Sequence, residues 1–178
     1  MPVHENILRV NVPALVRTLE AKGKLAEALS LYEEILAENP KHLYARLGKG
    51  NCLALSGELA AAYTEYLMAL EGGLKDPELL NNLADLSLQK GMKDERILHW
   101  AEEASSGFEE RLRSERSDLG KVIWTHKLVY ALGTLGAVQE ARGEKEAACE
   151  SFRKSLDLLG DRDPNLRLRS RPGQCPAT

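Results

Sequence analysis

Apolar residues recur three and four residues apart along most of the chain, the spacing that gathers them on one face of an α-helix. The clearest run is Trp100, Ala104, Phe108 and Leu112, four residues apart throughout. Read between their breaks, these stretches predict helices at about 12–22, 25–38, 42–56, 58–71, 77–90, 94–113, 117–142 and 145–159, with a short extra helix near 3–10. Asn11, Asp94 and Ser117 stand where N-caps belong, and Pro13 falls in a first turn, where its missing N–H is harmless. A second stripe, Leu119, Val122, Ile123, His126 and Tyr130, is expected to pack on the Trp100 run, with a polar turn at Arg113 to Ser117. Beyond Gly160 the periodicity stops, in a segment with Pro164, Pro172 and Pro176 and with Arg162, Arg167, Arg169 and Arg171. The expected organisation is a helical domain over 1–160 and an extended or disordered tail over 161–178.

The helices are paired by a repeat. Gly23, Gly57 and Gly91 are 34 residues apart, and so are Tyr32, Tyr66 and Trp100, and Leu15, Lys49 and Leu83. The small residues Gly50 and Ala84 keep the same phase, with Val16 in the first copy. The next step is 52 at every position: Gly91 to Gly143, Trp100 to Phe152, Leu83 to Leu135, Ala84 to Gly136. The excess over 34 is 18 residues, about five helical turns, which returns each side chain to its old face. The expected result is two adjacent helices each lengthened by about nine residues. Glycine at the turn supplies positive φ after the first helix. A small residue in that helix lets the second approach, and Ala followed by an aromatic four residues later packs against it.

In sequence order these are Leu, small, Gly, Ala, aromatic and Pro: Leu15, Val16, Gly23, Ala28, Tyr32 and Pro40 in the first copy, Leu135, Gly136, Gly143, Ala148, Phe152 and a late Pro164 in the fourth. The pattern resembles the tetratricopeptide repeat family over roughly residues 9 to 160. Lys49 stands where Leu is usual, Pro77 arrives three residues late, and Arg96 stands where Ala is usual; such a cation must snorkel outward or meet a carboxylate. The resemblance implies an all-α, right-handed α-solenoid of about four helix hairpins, the third-to-fourth connection lengthened into a long antiparallel hairpin.

Composition adds limits. Leu and Ala dominate the apolar set, favouring helices over sheets. Net charge is −3 with a pI near 5.9, so nothing global points to nucleic acid or an anionic membrane. No apolar run approaches the ~18 residues of a membrane span, and Met1 to Val10 lacks the order of a signal peptide; a cytoplasmic location is the default expectation. Cys52, Cys149 and Cys175 form no C-x-x-C pair, which speaks against a disulfide framework or zinc site and leaves Cys52 and Cys149 as small core hydrophobes. No phosphate loop, metalloprotease motif or nucleophile elbow is present. His99, Trp100, Trp124 and His126 are the one set that could gather a ligand, and aromatic packing is the expected reading. No catalytic residue, metal or cofactor is expected.

The resemblance places the binding surface in a concave groove lined by the first helix of each pair. In this register the groove residues are Arg17, Tyr44, Leu47, Asn51, Leu55, Asn81, Asp85 and Gln89. The asparagines and Asp85 suit a peptide backbone, and Tyr44 and Leu47 its side chains. The carboxylate clamp of chaperone-adaptor members would fall on Pro13, Arg17, Gly48, Glu78 and Asn82, where only Arg17 is cationic. The expected function is a non-enzymatic adaptor or scaffold for a protein or peptide partner. A structural homo-oligomer built through the solenoid ends or the long hairpin is the alternative, and a substrate-recruiting domain of an enzyme complex a third reading.

Overall fold

A computed structural model describes residues 24–159, all of whose regular elements are helices: α1 (Leu25–Glu38), α2 (Leu43–Leu55), α3 (Leu59–Glu71), α4 (Pro77–Gln89), α5 (Glu95–Ser114), α6 (Asp118–Ala141) and α7 (Lys145–Leu159). The expected helices at 3–10 and 12–22, the Asn11 cap and the 161–178 tail lie outside these residues. The chain divides into two compact units, Met1–Leu74 and Lys75–Thr178.

In the first unit α2 packs on both α1 and α3. Its glycines permit this: a Cβ on Gly48 would collide with the Tyr32 ring of α1, and one on Gly50 with the Tyr66 ring of α3. Ala28 and Ala62, one turn before those tyrosines, are fully buried. Lys49, between the two glycines, lies within 3.5 Å of Glu33 and 3.2 Å of Glu65. Glu65 also holds Arg46 at 3.0 Å. Carboxylates thus answer the cation where an apolar residue was usual.

In the second unit α4 packs on α5, α5 on α6 and α6 on α7, with α4 also touching α6. The close-approach device recurs, since a Cβ on Gly136 would lie 2.7 Å from the Phe152 ring. Ser155 Oγ donates to the Val129 carbonyl, and Ser151 Oγ to Gln139 Oε1, across the same contact. Arg96, the other departure from the repeat, turns outward and pairs with Asp94 at 2.9 Å.

The described turn glycines adopt the left-handed conformation, with φ of 85° at Gly57, 71° at Gly91 and 84° at Gly143. Each closes the preceding helix with paired backbone bonds, as at Gly57 N to Ala54 O and Glu58 N to Leu53 O, which satisfy carbonyls left open by the last turn. Asp94 and Ser117 cap α5 and α6 through bonds from Arg96 N and Gly120 N.

The insertion is divided unequally. α5 has 20 residues against 13 in α3, and α6 has 24 against 13 in α2, so the added lengths are seven and eleven rather than nine and nine. The seam also differs from expectation. On α5 Trp100, Ala104 and Phe108 are buried. On α6 the packing face is Trp124, Leu128, Ala131 and Leu132, whereas Leu119, Val122, Ile123, His126 and Tyr130 are exposed. α6 is apolar on two faces here, and periodicity alone could not choose between them. Aromatic packing and a hydrogen bond chose: the Trp124 ring centroid lies 6.3 Å from that of Phe108, and its indole N–H donates to Glu115.

Cys52 is fully buried, as a small core residue. Cys149 departs from the core reading, being half-buried and disulfide-bonded; wide spacing in sequence could not show such a bond.

Candidate partner-binding groove

α4 is started by Asp76, whose carboxylate accepts from Glu78 N at 2.9 Å, with Pro77 in the first turn. The cap is itself held by Arg111 of α5 at 2.9 Å. Leu79, Leu80, Leu83 and Leu86 are buried, which turns Glu78, Asn81, Asn82, Asp85 and Gln89 to the other side at helical spacing. Lys127, Tyr130, Gly133, Thr134 and Ala137 of α6 face them, and the two rows enclose a concavity of about 590 Å³ with Phe108 and Val129 in its lining.

The walls are polar and mostly committed. Lys127 pairs with Glu78 across the groove, and Gln89 Nε2 donates to Asp85 Oδ2 at 2.9 Å. Asn81 Oδ1 is the exception: it is buried and accepts no hydrogen bond among the described residues. Gly133 has no neighbour within 4 Å of a would-be Cβ, so the floor beside it is open.

The expected groove residues divide between the units. Asn81, Asp85 and Gln89 are together in the second. Tyr44 and Leu55, on α2, are strongly exposed, at 59% and 66%. Leu47 needs correction: it is buried in the first unit, because α2 faces helices on two sides. Asn51 is already used, its Oδ1 accepting from Tyr66 Oη at 2.8 Å. Arg17 lies outside the described residues. Of the clamp positions, Gly48 sits against Tyr32 and Glu78 is taken by Lys127. Lys127, Tyr130 and Thr134 escape the sequence pattern, because Tyr130 fits the stripe expected at the hairpin seam. The small residues Gly133 and Ala137, four apart on one side of α6, are the signal that could have found them.

The hairpin tip is a second polar structure. Glu115 Oε1 accepts from Arg116 N, Ser117 N and Ser117 Oγ, and its Oε2 accepts from Trp124 Nε1 at 3.2 Å. The Ser117 donors, then the indole, hold its carboxyl below the usual carboxylate range. The Arg111 guanidinium lies 5.2 Å from the Trp124 ring centroid. His99 stands exposed beside Glu103, and no group of three or more metal-binding side chains occurs among the described residues.

Comparison with known proteins agrees with the fold. Residues 14–77 match the tetratricopeptide repeat family, and no curated protein matches the sequence. Among solved structures, a MamA double mutant (RS-1 ArsTM) superposes with a TM-score of 0.62 at 16% identity, over 89% of this chain and 76% of that one. The assembly chaperone of RpL4, Acl4 (residues 1–338), gives 0.56 at 16% identity, over 89% and 83%. YrrB, described as a TPR protein with an unusual peptide-binding site, gives 0.52 at 18% identity, over 94% of each chain. No helix among the described residues is long and apolar enough to cross a membrane.

Proposed function

We propose that the chain, whose residues 14–77 match the tetratricopeptide repeat family and whose described helices each pack on the next within a unit, as in protein-interaction modules, is a non-enzymatic adaptor that receives an extended peptide of a partner protein between α4 and α6. The observation that carries this reading is the buried, unanswered Asn81 Oδ1. A buried acceptor without a donor costs about 1–3 kcal/mol, and a peptide N–H would relieve that cost on binding. Tyr130, which lines the same concavity and is 43% exposed, offers an apolar ring to a side chain of the same peptide. The peptide-binding site of YrrB, a protein of similar fold, is consistent with this use, and a cytoplasmic location accompanies it.

Peptides selected by display on the whole chain test the reading. Asn81→Leu should weaken their affinity by about tenfold, the worth of one buried hydrogen bond, and Tyr130→Ala should weaken it as well. Unchanged affinity in both variants would reject the groove. Self-association through the hairpin is the second reading, favoured by the exposed apolar residues of α6; light scattering that gives a monomer at two concentrations would remove it.

A further inference from the structure

Two anchors bring one stretch of the chain to the groove. Leu159, the last residue of α7, packs on Val129, which lines the concavity. Cys149, earlier on α7, is disulfide-bonded. Cys52, buried beside Ala28 in the first unit, is not its partner, which leaves Cys175. Cys149 stands two residues before Ser151, whose hydroxyl is bonded to Gln139 of α6. From 129 to 139 α6 rises about 15 Å, and its side of the groove, Lys127 to Ala137, covers nearly the same stretch. Residues 160–174 join the two anchors and reach at most about 50 Å when extended. That is enough to cross α6, about 10 Å wide, and enter the concavity.

We propose that residues 165–171 of this chain occupy the concavity between α4 and α6 as an internal ligand, strapped there by a Cys149–Cys175 disulfide, and that reducing the bond opens the groove to a partner peptide. The inference rests on the reading of the concavity as a site for an extended peptide. Pattern selects the segment. Leu166 and Leu168 alternate with Arg167, Arg169 and Arg171, the period of two that sends apolar and charged side chains to opposite sides of an extended chain. The leucines suit Phe108, Val129 and Tyr130 in the lining.

Charge has the matching sign. The charged residues of the lining are Glu78, Asp85 and Lys127, a net negative set, and no acidic residue follows Asp163 in the chain. A segment held at both ends meets the groove at a higher effective concentration than one held at a single end, so the disulfide decides how strongly it competes with a partner. A dithiol opens the strap: the S–S bond breaks, Cys149 and Cys175 become thiols, and the reductant closes to its own disulfide. In a reducing compartment such bonds are transient and redox-sensing, which agrees with a groove that is open there and shut by oxidation.

The test uses the whole chain and fluorescence anisotropy with a labelled synthetic peptide of residues 161–174, which contains no cysteine. The chain reduced with dithiothreitol should bind this probe at least about tenfold more tightly than the oxidised chain, and Cys175→Ser should bind like the reduced chain without reductant. Leu166→Asp with Leu168→Asp, made in the chain and not in the probe, should give tight binding in both redox states. On that background Asp85→Lys should weaken the probe; Asp85 is exposed, so circular dichroism should show the variant folded. Failure of the probe to bind the Leu166→Asp, Leu168→Asp chain, equal binding by the oxidised and reduced chains, or indifference to Asp85→Lys overturns the proposal. So does an oxidised chain in which mass spectrometry finds Cys149 and Cys175 as thiols, or a disulfide-linked dimer, which would place Cys175 on a second copy. Display-selected peptides that respond to Asn81→Leu while the probe fails sink this inference alone, and failure of both sinks the groove with it.

Discussion

The α2–α3 hairpin of the first unit and the α5–α6 hairpin of the second solve one problem in two ways. In the first, the helices are 13 residues each and glycine meets aromatic ring: Gly50 lies against Tyr66, whose hydroxyl is fixed by Asn51. In the second, helices of 20 and 24 residues are held by large side chains, the Phe108 ring tilted against that of Trp124, and locked at the tip by Glu115. The short hairpin spends its length on close backbone approach. The long one holds α6 through one face and leaves another in solvent. Close approach constrains both helices, while lengthening by whole turns creates surface that the repeat itself does not cover.

The sharpest break of this contrast is Gly50→Leu. The ring of Tyr66 is fully buried and cannot yield to a side chain. Overpacking costs about 1–3 kcal/mol or more, against a helix-propensity gain of about 1 kcal/mol for replacing glycine. The clash should win, and denaturant unfolding should show a net loss of about 2 kcal/mol or more. Gly136→Leu against Phe152 should behave alike. A neutral result at either site would show that small-to-aromatic contact does not set the spacing.

These close contacts are legible in the amino-acid sequence, because Gly, Ala and the aromatic must recur together wherever two helices approach closely. The same logic identifies the caps Asp94 and Ser117 and the positive-φ turns at Gly57, Gly91 and Gly143. It fails where two physical solutions share one pattern. α6 carries apolar residues on two faces, so its exposed face reads as the seam. The groove is legible on α4, where buried leucines point Asn81, Asp85 and Gln89 the other way. It is not legible on α2, since a helix packed on two sides buries Leu47 and turns Asn51 to Tyr66. The Lys127–Glu78 pair spans 49 residues, beyond any local spacing rule.

Asn81→Leu gives a smaller effect with an informative sign. Removing a buried acceptor that has no partner should stabilise the chain by about 1 kcal/mol while weakening peptide binding, the pattern expected of a site that trades stability for function. Destabilisation would mean that the carbonyl has a structural role. Gly133→Ala, in the same groove, should gain up to about 1 kcal/mol from helix propensity, because nothing lies within 4 Å of the new methyl. Set beside Gly50→Leu, it separates glycines that permit contact from a glycine that leaves a groove open.

The smallest effect belongs to the tip and is read locally. Four donors, from Arg116, Ser117 and Trp124, hold the ionised Glu115 and lower its pKa, the Ser117 backbone N–H most of all. A carboxylate whose folded pKa lies below its unfolded value binds fewer protons folded than unfolded, so its contribution is complete above the usual glutamate range and is lost as pH falls through the lowered value. The Trp124 Nε1–H resonance should therefore stay constant through the usual carboxylate range and move only below it, and in Glu115→Gln this step should vanish. Global unfolding should barely change, since the tip is far from the Gly136–Phe152 contact that joins α6 to α7. A Trp124 titration at the ordinary carboxylate range would show the lock open in solution, and the α5–α6 hairpin would then be held at its distal end by the packing of Trp124 against Phe108 and Arg111.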